Sequence, residues 1–385
     1  MKSLRHAVAI AVPALVAVGA AAAFAVLTTA RRVVTPSARR TDTHILAVDT
    51  GAQTIELTRT LDTELPGRYG LFTTGTYGYV KVGAVLSADA RTVRRKLLTQ
   101  IEAGAQVDRD ATFSGWYYTT PSELHLPWES VLIGSPAGPC PAWFFPGSSD
   151  TWVIQVHGRG ATRSECLRAV PVFHSMGLPT LVVSYRNDGE APRSRGGSYA
   201  LGASEWRDVD AAISHALRHG AQRIVLMGWS MGGAIALQAA VSSGSRSRIA
   251  ALILDSPVVD WRTVLRFQAR GQGLMDPIPA LAMSALENTV MARLSGSEDA
   301  IPFDRLDMVA RASELEAPIL ILHSEDDGFV PADASHALAE ARPELVTMPP
   351  VSVARHTKLW NYDQTGWTAA ITEWMSAQGL APEAR

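Results

Sequence analysis

The 385-residue chain is 47% hydrophobic and 19% charged, too apolar for a disordered chain and enough for one large domain or two ordinary ones. A formal net charge of −2 supplies no global basic field, so a nucleic-acid partner held by charge is excluded and a small-molecule partner is expected. The two cysteines, Cys140 and Cys166, stand too far apart for a CxxC metal or redox motif and read as ordinary thiols, with one disulfide between them as the second reading.

Lys2, Arg5 and His6 precede an uncharged, alanine-rich stretch over residues 7–30, closed by Arg31 and Arg32. At about 1.5 Å per helical residue this stretch could cross a hydrocarbon core about 30 Å thick. Residues 1–32 are therefore expected to be a targeting segment. It is either a single transmembrane anchor or, because Ala23-Phe24-Ala25 fits the A-x-A cleavage pattern, a signal whose removal leaves the chain secreted to the cell envelope. Positive charge flanks it on both sides, so orientation stays open. Residues 33–42, rich in Pro, Ser, Thr and Arg, read as a linker. Residues 43–127 carry β-like runs at 45–48, 54–57 and 77–85 with turn signals at Pro66-Gly67 and Thr74-Gly75, and are expected to form a small β-rich accessory region without a chemical motif.

From about residue 128 the pattern changes. Short apolar runs at 152–156, 180–184, 223–227, 250–254 and 318–323, with a weaker one at 345–348, alternate with helical stretches at 165–175, 203–218, 231–242, 332–341 and 368–378. Such runs, separated by helix-length segments, predict buried parallel strands in βαβ units and an α/β domain over residues 128–385. The interval of about 258–316 breaks the rhythm with helical stretches of its own and is assigned as a cap.

The run 223–227 leads at once into Gly228-Trp229-Ser230-Met231-Gly232-Gly233 and then helix-prone residues, which is G-x-S-x-G in a strand-turn-helix context. The glycines are needed because backbone crowds a tight turn on both sides of the serine. Serine is a poor nucleophile without an adjacent base, and its place at a helix N-terminus favours the negative charge of acyl transfer. Upstream, the strand 152–156 runs into His157-Gly158-Arg159-Gly160, a loop of the type that supplies a second oxyanion donor. The expected donors are the backbone N–H groups of Met231 and Arg159, with Gly160 the lesser choice. Met231 is also a candidate pocket residue. His157 is expected to hold the loop, and the Arg159 side chain to face solvent, with recognition of an acidic substrate as its lesser reading. The acid should follow the late strand 318–323: Asp327 precedes x-x-V-P and is preferred, with Asp326 the alternative, pointing to solvent or capping the turn. His323 reads as structural. The base is His356, in a loop before the last helix with no histidine beyond it.

The order Ser230, Asp327, His356 is that of the α/β-hydrolase fold, a mostly parallel sheet flanked by helices. With HGRGATRSECLRA from His157, SYRNDGEAP from Ser184, LGASEWRDV from Leu201, GWSMGG from Gly228, LDSPVVDW from Leu254 and RHTKLWN from Arg355, the chain resembles actinobacterial α/β-hydrolases with an N-terminal membrane segment. The resemblance runs from about residue 141 to the C-terminus and implies a serine hydrolase, without naming a substrate. Ser324 departs from it, standing where glycine is usual. Arg186, Asn187 and Asp188 are expected either to line the site or to be structural, and Glu205, Arg207 and Asp208 to form a solvated or ion-paired helix face.

The expected activity is carboxylesterase-like acyl transfer through an acyl-enzyme on Ser230, on a small acyl substrate, with no metal or organic cofactor. A prolyl-oligopeptidase-like peptidase and a non-catalytic binding module are the alternatives. The chain is expected to meet the membrane through its N-terminal segment, and its oligomeric state is left open.

Overall fold

Alternation of inward apolar and outward polar residues builds the first unit. Six antiparallel strands, β1 (Thr43–Asp49), β2 (Thr54–Thr58), β3 (Tyr69–Gly75), β4 (Tyr79–Ala88), β5 (Thr92–Leu97) and β6 (Val107–Ser114), close into a barrel in the order β1-β2-β5-β4-β3-β6. In β2 the inward pair is Ile55 and Leu57, both fully buried, and β1 pairs with β2 and β6 to close the ring. In β5 the inward set is Val93, Arg95 and Leu97. Arg95 is tolerated inside because its guanidinium donates to the carbonyls of Gly83, Thr63, Leu65 and Gly67 at 2.7 to 2.9 Å. The computed structural model describes residues 19–36, 39, 41–75, 77–102, 104–105, 107–275 and 277–381.

The second unit is an eight-stranded sheet of β7 (Glu129–Ser135), β8 (Gly138–Phe145), β9 (Thr151–Val156), β10 (Thr180–Val183), β11 (Arg223–Trp229), β12 (Ile249–Asp255), β13 (Ile319–Leu322) and β14 (Val346–Thr347). Its order is β14-β13-β12-β11-β9-β10-β8-β7, parallel from β14 to β10 and antiparallel at the β10-β8 and β8-β7 pairs. The central strands are buried on both faces, which is why they read as unbroken apolar runs. Helices Val170–Ser175 and Gln364–Ala377 cover one face through Val170, Phe173, Trp367 and Ile371. Trp206–Arg218 and Met231–Ser242 cover the other through Val209, Ile213 and Ile235. Between β12 and β13 the chain leaves the sheet for four helices, Trp261–Gly271, Pro277–Glu287, Thr289–Leu294 and Phe303–Leu306.

One expectation at the N-terminus needs correction. Residues 19–34 form a helix whose Ala30 and Val34 are fully buried in the main core of the second unit, and Val34 O accepts the Tyr199 N–H at 2.7 Å. The stretch read as a linker from residue 33 thus begins as the last turn of a docked helix, because small apolar side chains on one face pack on the sheet unit. Among the described residues no helix is long and apolar enough to cross a membrane, and residues 1–18 of the expected targeting segment lie outside the described residues. Cys140 and Cys166 are both buried free thiols, so the second reading, a disulfide, is not formed.

Candidate active site

The crossing from β11 to the helix Met231–Ser242 fixes Ser230 at φ 51° and ψ −117°, outside the regions that L-residues favour. Three glycines permit this turn. A Cβ on Gly228 would sit 2.3 Å from Gly232 O, one on Gly232 2.1 Å from Val156 O, and one on Gly233 2.7 Å from the Pro257 side chain. The Ser230 N–H is tied to Asp255 O at 3.0 Å, and its carbonyl accepts from Gly233 and Val258. The hydroxyl is thereby held at the carboxyl ends of the parallel strands, where this class of sheet opens.

His356 Nε2 lies 3.1 Å from Ser230 Oγ, and His356 Nδ1 lies 2.7 Å from Asp327 Oδ2. Asp327 Oδ1 accepts the backbone N–H groups of Phe329 and Val330 at 2.8 and 2.9 Å. Burial works against ionisation of Asp327, but the His356 charge and the hydrogen bonds from His323 and His356 outweigh it. The carboxyl is held well below the usual carboxylate range. His323, expected to be structural, touches the acid: its Nε2 is 3.3 Å from Asp327 Oδ2 and 3.0 Å from Val330 O, while Nδ1 meets Ser335 Oγ at 2.8 Å. Only a protonated Nε2 satisfies two oxygens, which fixes the tautomer.

Asp326 takes a different part from either one expected of it. Its Oδ1 accepts the Ser324 hydroxyl at 2.6 Å and the N–H groups of Ala354 and Arg355 at 3.1 and 2.9 Å, so it ties the acid turn to the loop carrying His356. Ser324, the departure from glycine, supplies one of these bonds. The same loop is held by Ser256 Oγ, which accepts the Thr357 N–H at 3.0 Å, and by Arg168, which donates to Thr357 O at 2.7 Å. Arg355 and Thr357, on either side of the base, both have positive φ, 62° and 51°. The bonds from this turn, Ser256 and Arg168 to the loop carry no sequence signature, since each joins residues far apart in the chain.

The His157-Gly158-Arg159-Gly160 loop lies over the nucleophile: a Cβ on Gly158 would be 3.3 Å from the Ser230 Cβ. His157 is fully buried, with Nδ1 2.8 Å from Gly158 O and Nε2 3.1 Å from Asp188 Oδ2, and its ring stacks on Tyr185. The Gly158 N–H donates to the buried carboxylate of Glu165 at 2.7 Å, and the Gly160 N–H donates to the Tyr199 hydroxyl at 3.4 Å. Met231 opens the helix after Ser230, where N–H groups have no partner within the helix. Its side chain is buried in the core and does not line the pocket, contrary to expectation. The Arg159 side chain is half-buried and tethered rather than freely solvated: Nη2 donates to the carbonyls of Arg32 and Thr35 at 2.7 and 3.0 Å.

Other polar residues singled out from the sequence prove structural. Arg186 clamps Asp208 through two guanidinium nitrogens, at 2.7 and 2.8 Å. Glu205, expected on a solvated or ion-paired face, is fully buried and accepts the N–H groups of Ala200 and Gly202. Asn187 donates to Ser198 O at 2.7 Å.

Ser230, Arg159 and Gly160 line one cavity of about 570 Å³, within the range of small-molecule sites. The cap helices Trp261–Gly271 and Pro277–Glu287 give it apolar walls through Val264, Leu265, Met283 and Leu286, and the C-terminal end of the helix at 19–34 forms another wall. A hydroxyl bonded to an imidazole that is bonded to a buried carboxylate, at the floor of a largely apolar cleft, is an arrangement able to carry out nucleophilic acyl transfer.

Residues 44–114 match a domain of unknown function, and residues 144–371 match the alpha/beta hydrolase family. An uncharacterized protein of Mycobacterium tuberculosis is 26% identical over 209 residues, which are 52% of this chain and 62% of the relative's own length. An esterase of Pyrococcus furiosus has a similar fold, with a TM-score of 0.53 at 16% identity over 68% of this chain and 94% of its own. Since the family match takes in more than half of the residues and coincides with the sheet unit that holds Ser230, the chain belongs to the alpha/beta hydrolase family.

Proposed function

We propose that the protein is a serine esterase that works through an acyl-enzyme on Ser230. His356 takes the Ser230 proton as the hydroxyl attacks the ester carbonyl, and Asp327 orients the ring and stabilises the imidazolium. The oxyanion is held by the backbone N–H groups of Met231 and Arg159, since those of Gly158 and Gly160 are engaged with Glu165 and Tyr199. Each such donor contributes about 2.7 to 4 kcal/mol of transition-state stabilisation. His356 then returns its proton to the leaving alcohol, and water, deprotonated by the same ring, releases the acid. A small-molecule ester is the substrate class, and the N-terminal segment is read as directing the chain to the cell envelope.

What carries this reading is the continuous hydrogen-bonded run from Asp327 through His356 to Ser230, at 2.7 and 3.1 Å, opening on an apolar cavity. A fluorophosphonate probe tests it. Labelling of the wild-type chain and none of Ser230→Ala is expected, whereas equal labelling of both removes Ser230 from the mechanism. Aryl esters and peptidyl amides offered side by side should give turnover of the ester, and turnover of the amide alone would replace the esterase reading by a peptidase one.

A further inference from the structure

Among the described residues, every formally charged side chain lining the cavity is an arginine: Arg31, Arg32, Arg39 and Arg159. Arg31 and Arg32 come from the last turn of the N-terminal helix, Arg39 from the stretch between that helix and the barrel, and the fourth from the loop over Ser230. Arg159 pins the end of that helix in place through the carbonyls of Arg32 and Thr35. Arg39 is held over two rings, 3.7 Å from the Phe72 centroid and 4.3 Å from that of Trp116. Arg31, Arg32 and Arg39 form no ion pair with a carboxylate among the described residues. Glu165 offsets Arg39 in part, but it is buried beneath the Gly158 N–H. Like charges collected on the rim of an apolar cleft repel one another and focus a positive field into it, a cost that an anionic ligand removes. The cap-helix wall is largely hydrocarbon, with Val264, Leu265, Ala269, Met283 and Leu286 and only the uncharged Gln268 and Gln272 among them, so it and the arginines ask for different chemistry.

We infer that the substrate is an anionic amphiphile: an ester whose hydrocarbon chain lies under the cap helices and whose phosphate or carboxylate group meets Arg31, Arg32 and Arg39. The guanidinium fork matches both anions in two-point geometry, which makes arginine the fitting residue here. This rests on Ser230 being the nucleophile but is tested without turnover. Full-length protein carrying Ser230→Ala is titrated by calorimetry with octyl phosphate, octanoate and octan-1-ol, each below its micelle concentration. Binding of the two anions is expected to be at least about tenfold tighter than that of the alcohol. The advantage should shrink between about 50 mM and about 500 mM salt, and in the Arg31→Gln, Arg32→Gln double variant. A preference for octyl phosphate over octanoate would assign the anion as phosphate, and the reverse order would assign it as carboxylate. Equal binding of alcohol and anions, no binding of any of the three, or an advantage indifferent both to salt and to the double variant overturns the inference. Fluorophosphonate labelling of Ser230 alongside any of those results would leave the esterase reading standing, so the two failures are distinguishable.

Discussion

Ser230 pays for its place at the floor of the cavity with backbone strain, and the glycines around it are what make that strain possible. The steric margin is narrowest at Gly232, where a methyl group would meet the carbonyl oxygens of Val156 and His157 at 2.1 and 2.6 Å. Those atoms belong to the strand end that carries the oxyanion loop, so relief has to come from moving the loop. Gly232→Ala is expected to lose about 1–3 kcal/mol of stability in urea unfolding and to slow fluorophosphonate labelling as well. The two adjacent aspartates should separate just as cleanly. Asp327→Asn presents an amide where the imidazole N–H needs an acceptor, and kcat should fall by about 10⁴-fold. Asp326→Asn keeps an acceptor oxygen toward Ala354 and Arg355, and its loss should be far smaller; the reverse ranking of the two variants would exchange their roles. Because the folded carboxyl of Asp327 titrates below its unfolded value of about 3.9, its ionisation contributes stability above that pH. The contribution disappears as pH falls through the folded value. Urea unfolding of Asp327→Asn between pH 3 and 7 should therefore show a shallower acid-side decline than the wild type.

At the scale of elements, the loop that carries His356 is gripped from both units. The barrel supplies Asp62, which meets Arg355 Nε at 3.1 Å and Lys358 Nζ at 3.4 Å, on either side of the base. Asn361 exchanges bonds with Arg68, donating to its carbonyl at 2.8 Å and accepting its N–H at 3.3 Å. Contact is close enough that a Cβ on Gly67 would fall 2.0 Å from Asn361 O and one on Gly115 2.5 Å from Thr357 O. The barrel thus acts as a brace for the base. Half-exposed ion pairs contribute little to stability, about 0.2–1 kcal/mol, but a misplaced catalytic group can cost up to about 10²-fold in rate. Asp62→Ala should therefore lower kcat about tenfold while leaving KM and the melting temperature nearly unchanged, with Asp62→Asn recovering part of the rate. An unchanged kcat would reduce Asp62 to a surface contact.

Across the whole molecule, what was legible in the sequence follows from how local each signal is. The central strands and the helix after Ser230 announce themselves through continuous burial, and the triad through motifs set at the ends of those strands. The antiparallel pair β7-β8 was missed because Gly134, Pro136, Gly138, Pro139 and Pro141 interrupt any run of strand formers. In the barrel, β5 was missed because Arg95 occupies an inward position and breaks the alternation. The N-terminal segment was legible only as an apolar stretch, since composition alone does not distinguish an apolar helix that leaves the protein from one whose end docks on it. Ala30 and Val34 dock the C-terminal end of the helix on the sheet unit, and Arg159 joins that helix to the loop over the nucleophile. A chain shortened to begin at residue 26, just past Ala23-Phe24-Ala25, keeps all of these contacts and should melt close to the full-length protein. One shortened to begin at residue 41 loses the burial of Ala30 and Val34, worth about 2–4 kcal/mol, and the two carbonyl acceptors of Arg159. Its melting temperature should drop by several degrees, and its labelling by fluorophosphonate should slow because the loop over Ser230 has lost its outer support. Equal labelling rates in the two shortened chains would show that the helix covers the cavity without positioning the loop.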